Sequence, residues 1–376
     1  MLLSEDHQAV QDAVRSFAQA EIAPHAAAWD KSHQFPRAQL RGLAALGCYG
    51  VAVPTEWDGA GLDYLALAVI LEEIAAADGA TSTVVSVNNC PVCSILMAYG
   101  NDEQKTRFLK PLARGDLLGA FCLTEPHVGS EAGGLKTTAE RERDHYVIKG
   151  VKQFITSGKN GDVAIVMAVT DKAAGKKGIS AFIVATKTPG YQVARIEDKL
   201  GQHASDTAQI LFDNCRVPVE NLIAQEGMGL KIALSGLEGG RIGIASQALG
   251  MARAAFEAAL AYSKERSSFG QPIFQHQAVQ FKLADMATEV EVARQMIHHA
   301  AALKDAGRPC LKEAAMAKLY ASEMAERVCS SAIQVFGGYG YVSDFPVERI
   351  YRDVRVCQIY EGTSEVQKIL IGRALG

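Results

Sequence analysis

The sequence predicts an α+β chain in three successive parts: a helical part over residues 1–117, a β-rich part over 118–224, and a bundle of long helices over 225–376. Three observations predict it. Apolar residues recur three and four apart up to about Leu117, then two apart from about Leu118 to Asn221. Helical spacing returns from about Gly227 onward, and the segments there are longer than an ordinary helix and joined by short breaks.

In the first part, His7 through Ile22, Tyr64 to Ala76 and Asp102 to Leu112 read as helices. The last has Asp102 and Glu103 in its first turn and Lys105, Arg107 and Lys110 further on, the order of charge that suits a helix dipole. In the middle part, Tyr146–Ile148, Val163–Val166, Ile179–Ala185 and Ile210–Phe212 read as strands, punctuated by Asp162, Gly175 to Gly178 and Pro189-Gly190. No helix separates these strands, so the expectation is an antiparallel sheet or small barrel rather than βαβ units. In the last part, Lys231–Lys264, Gln277–Asp305 and Leu311–Phe336 are Ala-rich and amphipathic, which predicts an antiparallel bundle. No repeat, low-complexity tract or flexible linker interrupts the chain, so the parts are expected to pack as one body.

The composition, 48% hydrophobic and 21% charged, is that of an ordinary globular chain. A net charge of -4 predicts no broad basic face and argues against a nucleic-acid partner. The eight cysteines (Cys48, Cys90, Cys93, Cys122, Cys215, Cys310, Cys329 and Cys357) are scattered among apolar neighbours, as reduced thiols are. Cys90 and Cys93 form a lone C-x-x-C without a partner pair and read as small buried hydrophobes. The acidic start, Met1 to Asp6, is unlike a signal peptide. No apolar run reaches the roughly 18 residues that a membrane helix needs. A soluble protein of a reducing compartment is expected, cytoplasmic if bacterial.

Several familiar chemistries are unsupported. Gly158-Lys159 and Gly175-Lys176 lack the leading glycine of a phosphate-binding loop. No strand followed by G-x-G-x-x-G opens a helix, so a doubly wound dinucleotide site is not expected. Ser130 lacks the flanking glycines of a nucleophile elbow. His298 and His299, adjacent on a helix, point apart and cannot chelate a metal together.

Three stretches do suggest chemistry. Phe121 to Ser130 combines hydroxyls, turn residues and apolar flanks suited to a flat ligand with polar edges, although Thr124 and Ser130 would equally serve as backbone caps. Gln334 to Tyr341 holds three glycines in four residues, which lets backbone approach a phosphate, or simply ends a helix. Glu361 stands before a helix start near Ile359, Tyr360 and Ile369. Such an acid is usually a cap, but in an apolar pocket its pKa rises and it can act as a base.

Taken together, these stretches resemble the acyl-CoA dehydrogenase family over nearly the whole chain. The resemblance rests on Thr124-Glu125-Pro126 with Gly129-Ser130, on Gly150 to Thr156, and on Gly201 to Thr207. Arg266 to Gly270 and Tyr360-Glu361-Gly362-Thr363 extend it, all in the family's order. It implies a helical domain, a central β-domain and a C-terminal four-helix bundle, with FAD bound without a doubly wound domain.

The resemblance also implies site residues. Phe121, Leu123, Thr124 and Ser130 would line the flavin and the thioester end of the substrate, with Phe154 on the isoalloxazine and Thr156 near flavin N5. Arg266, Phe269 and Gln277 would approach the FAD of an adjacent subunit, whose phosphates Gln334, Gly337 and Gly338 would clasp. Thr363 and Glu365 would contact FAD from the base's own chain. Glu361 matches the family's catalytic base, which takes the α-proton while the β-hydrogen leaves as hydride to flavin N5. The backbone N–H of that residue and a ribityl hydroxyl would polarise the thioester carbonyl. Glu238, Arg241 and Gly362 would lie along the substrate. A subset of the family carries its base at the position matching Gly240, which has no side chain here, and Glu238 would face about 200° away on a helix.

Gly240 to Gly250 and Lys312 to Lys318 look most like short-chain (butyryl) and short branched-chain members. Phe154, where many relatives carry Trp, His203, where many carry Arg, and Glu131, where Asp is commoner, depart from the pattern. The implied partners are an acyl-CoA substrate, an electron-transferring flavoprotein and three further copies of the chain, in the cytoplasm or, for a eukaryote, the mitochondrial matrix. An oxygen-using oxidase, a family relative without dehydrogenase activity, and a helical interaction protein are the competing readings.

Overall fold

A computed structural model of the chain describes residues 3–376, so Met1 and Leu2 of the acidic start lie outside it. The helical part begins at Glu5–Phe17, where the Ser4 hydroxyl accepts from the His7 amide and Glu5 and Asp6 occupy the first turn. A π-segment, Ala18–Ile22, leads on to Ala23–Ser32. Tyr64–Ala77 is apolar almost all round and is accordingly buried on nearly every face. Its two buried acids are paired: Glu73 with Arg15 at 2.8 Å and Arg253 at 2.7 Å, and Glu72 with Arg253 and Arg294, both at 2.9 Å. These pairs tie the first helices to the C-terminal bundle. The stretch from Asp102 to Arg114 starts with an Asn101–Gln104 capping box and stops at Gly115, whose φ of 77° lets the chain turn away.

The middle part is one sheet. Its strands are β1 (Gly119–Cys122), β2 (Thr138–Glu142), β3 (His145–Thr156), β4 (Val163–Val169), β5 (Ile179–Ala185), β6 (Tyr191–Ile196), β7 (Thr207–Pro218) and β8 (Leu222–Ile223). The order is β6-β7-β3-β2-β4-β5-β8, with β1 added alongside β4. The antiparallel expectation needs correction. Most pairings are antiparallel, but β1 runs parallel to β4 from Gly119 opposite Val163 to Cys122 opposite Val166, and β2 meets β4 parallel at Thr138 and Val169. The long excursion through β2 and β3 supplies the crossover that a parallel pair needs. Residue spacing within a strand carries no trace of that choice. β4 and β5 are buried on both faces, which is why their sequences are unbroken apolar runs.

The last part is built on Gly229–Glu265, Gln277–Asp305 and Leu311–Phe336, closed by Ser364–Leu375, with a short helix, Val347–Val354, between. Small residues such as Ala245, Ala252, Ala293, Ala317 and Ala325 form much of its core and let the helices come close. All eight cysteines are free and buried. Among the described residues, no helix is long and apolar enough to cross a membrane.

Candidate active site

Glu361 sits in the tight turn that leads into the Ser364–Leu375 helix. Its φ is 55° and that of Gly362 is 90°, so two successive residues hold left-handed backbone. Such strain in a non-glycine residue persists only where the surroundings impose it. Here they do. The Lys318 ammonium donates to the Gly362 carbonyl at 2.8 Å, and the Gln367 amide donates to the carbonyls of Glu361 at 3.1 Å and Gly362 at 2.8 Å. The Thr363 hydroxyl caps the helix that follows. A side chain at 362 would lie 2.8 Å from the Gln367 amide, so that position requires glycine.

The turn aims the Glu361 carboxylate at the backbone of the Gly229–Glu265 helix. A Cβ built on Gly240 would lie 2.7 Å from Oε2 and 2.8 Å from Oε1. Oε2 is buried and has no hydrogen-bond partner among the described residues. Burial raises the carboxyl pKa from 4.5 to about 7, against the opposing pull of Arg241 and then Lys318. Arg241 is itself buried, and its Nε and Nη1 lack partners among the described residues. The backbone N–H of Glu361 has no acceptor among the described residues. The site therefore offers an unsatisfied carboxylate oxygen, an unsatisfied guanidinium and a free amide, the equipment for removing a proton beside a polarised carbonyl.

The pocket differs from the expectation in one respect. Ile359 and Ile369 are 53% and 51% exposed and do not enclose the carboxylate. Gly240 and Arg241, from a distant helix, bring the walls instead. Glu238 is engaged elsewhere: it takes a hydrogen bond from Lys304 at 3.2 Å and one from the Cys310 thiol at 3.5 Å.

The Phe121–Ser130 stretch is fixed from beneath by a buried ion pair. The Lys152 ammonium reaches Glu125 at 2.8 Å and the Leu123 carbonyl at 3.0 Å, while Glu125 also accepts from the amides of Lys136 and Thr137. Phe121 is half-buried and Leu123 buried against the core shared with the helical part, whereas Ser130 is exposed. The Thr124 carbonyl accepts from the Gln153 amide at 2.8 Å, which places this loop beside the next feature. Between Lys152 and Ile155 the β3–β7 register slips, and Phe154 takes a φ of 59°. The bulge turns its ring outward, where it is 62% exposed. Thr156, half-buried, resumes the pairing opposite Thr207.

Arg266, Gly337 and Gly338 line a separate open groove of about 570 Å³ with Tyr262, Phe336 and Tyr339. The Arg266 guanidinium stacks over the Tyr339 ring at 5.6 Å. A Cβ at Gly337 or Gly338 would meet nothing within 4 Å, so backbone is open to an approaching molecule there. Gln277 and Gln334 are exposed, and Phe269, at the tip of a small hairpin, is 95% exposed. Glu365 is exposed in the first turn of the last helix. The fold brings part of the expected set together in three groups: Glu361, Gly362 and Arg241; the Phe121–Ser130 loop with Phe154 and Thr156; and Arg266, Gly337 and Gly338 in their groove, while Glu238, Phe269, Gln277, Gln334, Thr363 and Glu365 stand outside these groups. Sequence reasoning missed the supports, Lys152, Lys318 and Gln367. A lysine inside a helical face of mostly small residues was the one available signal for Lys318.

Family models cover nearly the whole chain: "Acyl-CoA dehydrogenase, N-terminal domain" over residues 4–116, "middle domain" over 120–215 and "C-terminal domain" over 227–376. The chain is 47% identical over 369 residues to "Short-chain specific acyl-CoA dehydrogenase, mitochondrial" of Mus musculus, covering 98% of this chain and 90% of that one. It superposes on the butyryl-CoA dehydrogenase of Megasphaera elsdenii with a TM-score of 0.97 at 40% identity, covering 100% and 99% of the two chains. A chain of the structure described as "Electron transferring flavoprotein of Acidaminococcus fermentans: Towards a mechanism of flavin-based electron bifurcation" gives a TM-score of 0.98 at 45% identity, covering 100% and 99%.

Proposed function

The chain belongs to the acyl-CoA dehydrogenase family, whose members are FAD-dependent oxidoreductases, and on that premise we propose that it dehydrogenates a short-chain acyl-CoA to the trans-2-enoyl-CoA with Glu361 as the base. The observation that carries the assignment is the Glu361 carboxylate, packed against Gly240 with its buried Oε2 unsatisfied among the described residues.

The residues present fit FAD. Phe154 offers an exposed aromatic face on a bulge, the Gln153–Thr124 bond holds Thr124 beside it, and Thr156 follows two residues on, while the exposed Ser130 of the Thr124 loop would add a further hydroxyl. Arg266, Phe269, Gln277, Gln334 and the open backbone at Gly337-Gly338 suit the dinucleotide of a neighbouring copy, while Thr363 and Glu365 serve the chain's own. When bound, FAD supplies the acceptor for the hydrogen and electron pair that leave the substrate's β-carbon.

The chain's own residues prepare the α-carbon. In this reading the N–H of Glu361, which has no acceptor among the described residues, donates to the thioester carbonyl and makes the α-proton more acidic. Glu361 Oε2, lacking other partners, takes that proton. Arg241 favours the ionised carboxylate against the burial that raises its pKa. Gly362 and Glu238 lie along the substrate in this reading, and exclusion of water preserves the pairing of base and substrate.

The short-chain assignment follows the named relatives, as does transfer of electrons to an electron-transferring flavoprotein. The exposed Phe269 and the groove at Gly337 suit a homotetramer, in the cytoplasm of a bacterium or the matrix of a mitochondrion. A panel of straight and branched saturated acyl-CoA esters with a dye acceptor tests the reading. Butyryl-CoA is expected to lead with an enoyl-CoA product. Preference for a short branched ester redirects the acyl assignment, and no turnover of any acyl-CoA refutes the function.

A further inference from the structure

We propose that Lys318 is the positioning residue of this active site: its ammonium fixes the turn that carries Glu361 and supplies a buried positive charge facing the carboxylate. The proposal rests on the reading of Glu361 as the base.

Lysine is almost never fully buried unless paired with an acid. Lys318 is 0% exposed, yet among the described residues no carboxylate lies within ion-pair distance of it. Its neighbours three and four residues away on the helix, Ala314, Ala315, Ala321 and Ser322, are small and buried, and the Ser322 hydroxyl is taken up by the Leu319 carbonyl, so none of them calls for an ammonium there. Among the described residues its one side-chain hydrogen bond goes to the Gly362 carbonyl, next to the base, at 2.8 Å. That carbonyl already accepts from Gln367, in the first turn of the helix that follows directly on the chain. Lys318 is therefore the clamp that comes from outside, and it ties the strained Glu361-Gly362 backbone to the bundle.

The charge has a second consequence. The titratable and charged groups facing this corner come from every packed element. They are Arg241 of the long helix, Cys90 of the helical part, Cys357 before the turn, and Glu365 of the last helix. Arg241 and Lys318 are the cations that favour ionised Glu361. Burial lowers the Lys318 pKa to about 8, so it is mostly charged at the pH where Glu361 titrates. Removing its charge leaves Arg241 alone to support the carboxylate against desolvation.

The test is anaerobic single-turnover reduction of the FAD-loaded protein by butyryl-CoA, followed across pH in wild type, Lys318→Met, Lys318→Gln, Lys318→Arg and Glu361→Gln. Lys318→Met is expected to slow reduction about 10- to 100-fold near neutral pH, as misplacement of a catalytic group does. Thioester affinity should change by less than about threefold. The acid limb should move up by about one pH unit. Lys318→Arg should restore the limb, because it keeps the charge. Lys318→Gln can still donate to Gly362 and should shift the limb with a smaller loss of rate. Should Lys318→Met fail to fold, Lys318→Gln decides. An acid limb unchanged in a folded Met or Gln variant overturns the proposal, because a merely structural lysine would lower stability and leave the limb in place. Near-normal reduction in Glu361→Gln instead overturns the reading of the base.

Discussion

Gly240 and Glu361 are fitted to one another: the place a side chain would occupy at 240 is where the Glu361 carboxylate lies, 2.7 Å from Oε2. Two distant segments thus share a space that only one side chain can fill. In this chain the turn before the last helix fills it, and the long helix yields by presenting glycine.

Gly240→Ala tests that relationship. The obstructing atoms are the far end of a flexible side chain, so the carboxylate moves and the helix does not. Alanine in a helix interior is favoured over glycine by about 1 kcal/mol, so the melting temperature should hold or rise. Turnover should nevertheless fall by about 10²-fold, as a small misplacement of a reacting group commonly does. Calorimetry and kcat/KM on the same preparation read both effects.

The raised pKa of Glu361 sets a pH dependence. Only the ionised form can take a proton, so kcat/KM should decline as pH falls through about 7. Stability runs the other way. The folded state holds this proton more tightly than the unfolded chain, so the contribution is full below about 4.5 and is lost as pH rises through about 7. Glu361→Gln should flatten that part of the melting profile between those limits.

Phe154 should matter to the cofactor far more than to the fold. Its ring is 62% exposed, so Phe154→Ala removes little buried surface and should leave the melting point of the FAD-free protein nearly unchanged. Loss of an aromatic face against a flat ring should weaken FAD binding about tenfold. Titration of the FAD-free protein measures it.

The pair beneath the Phe121–Ser130 loop carries the opposite expectation. Lys152 and Glu125 are fully buried, and removing one partner strands the other's charge. Lys152→Met should cost about 3–5 kcal/mol in denaturant unfolding. Adding Glu125→Gln should recover part of that loss, since the neutral amide tolerates burial better.

The order of helices, sheet and bundle was legible because a period of two or of 3.6 is written into each segment whatever its neighbours. Gln277–Asp305, Leu311–Phe336 and Ile179–Ala185 begin and end where the pattern puts them. The parallel course of β1 beside β4 was not legible, because it depends on where a long excursion of the chain returns. Glu361 was singled out from its own stretch, but its pocket was drawn from its chain neighbours. Ile359 and Ile369 are half exposed, and Gly240 and Arg241 stand in their place. The supports were the least legible of all. Lys152, Lys318 and Gln367 act through one or two hydrogen-bonded partners each, and such partners are fixed only by tertiary packing.

The most direct measurement is the rate at which butyryl-CoA bleaches the yellow colour of Glu361→Gln under anaerobic conditions. The amide keeps the shape of the carboxylate and cannot take the α-proton. The rate should drop at least about 10³-fold from wild type, with FAD content intact and thioester affinity within a few-fold. A folded, FAD-loaded variant that bleaches within about tenfold of the wild-type rate would contradict the account, because a positioned general base accelerates proton removal by more than that.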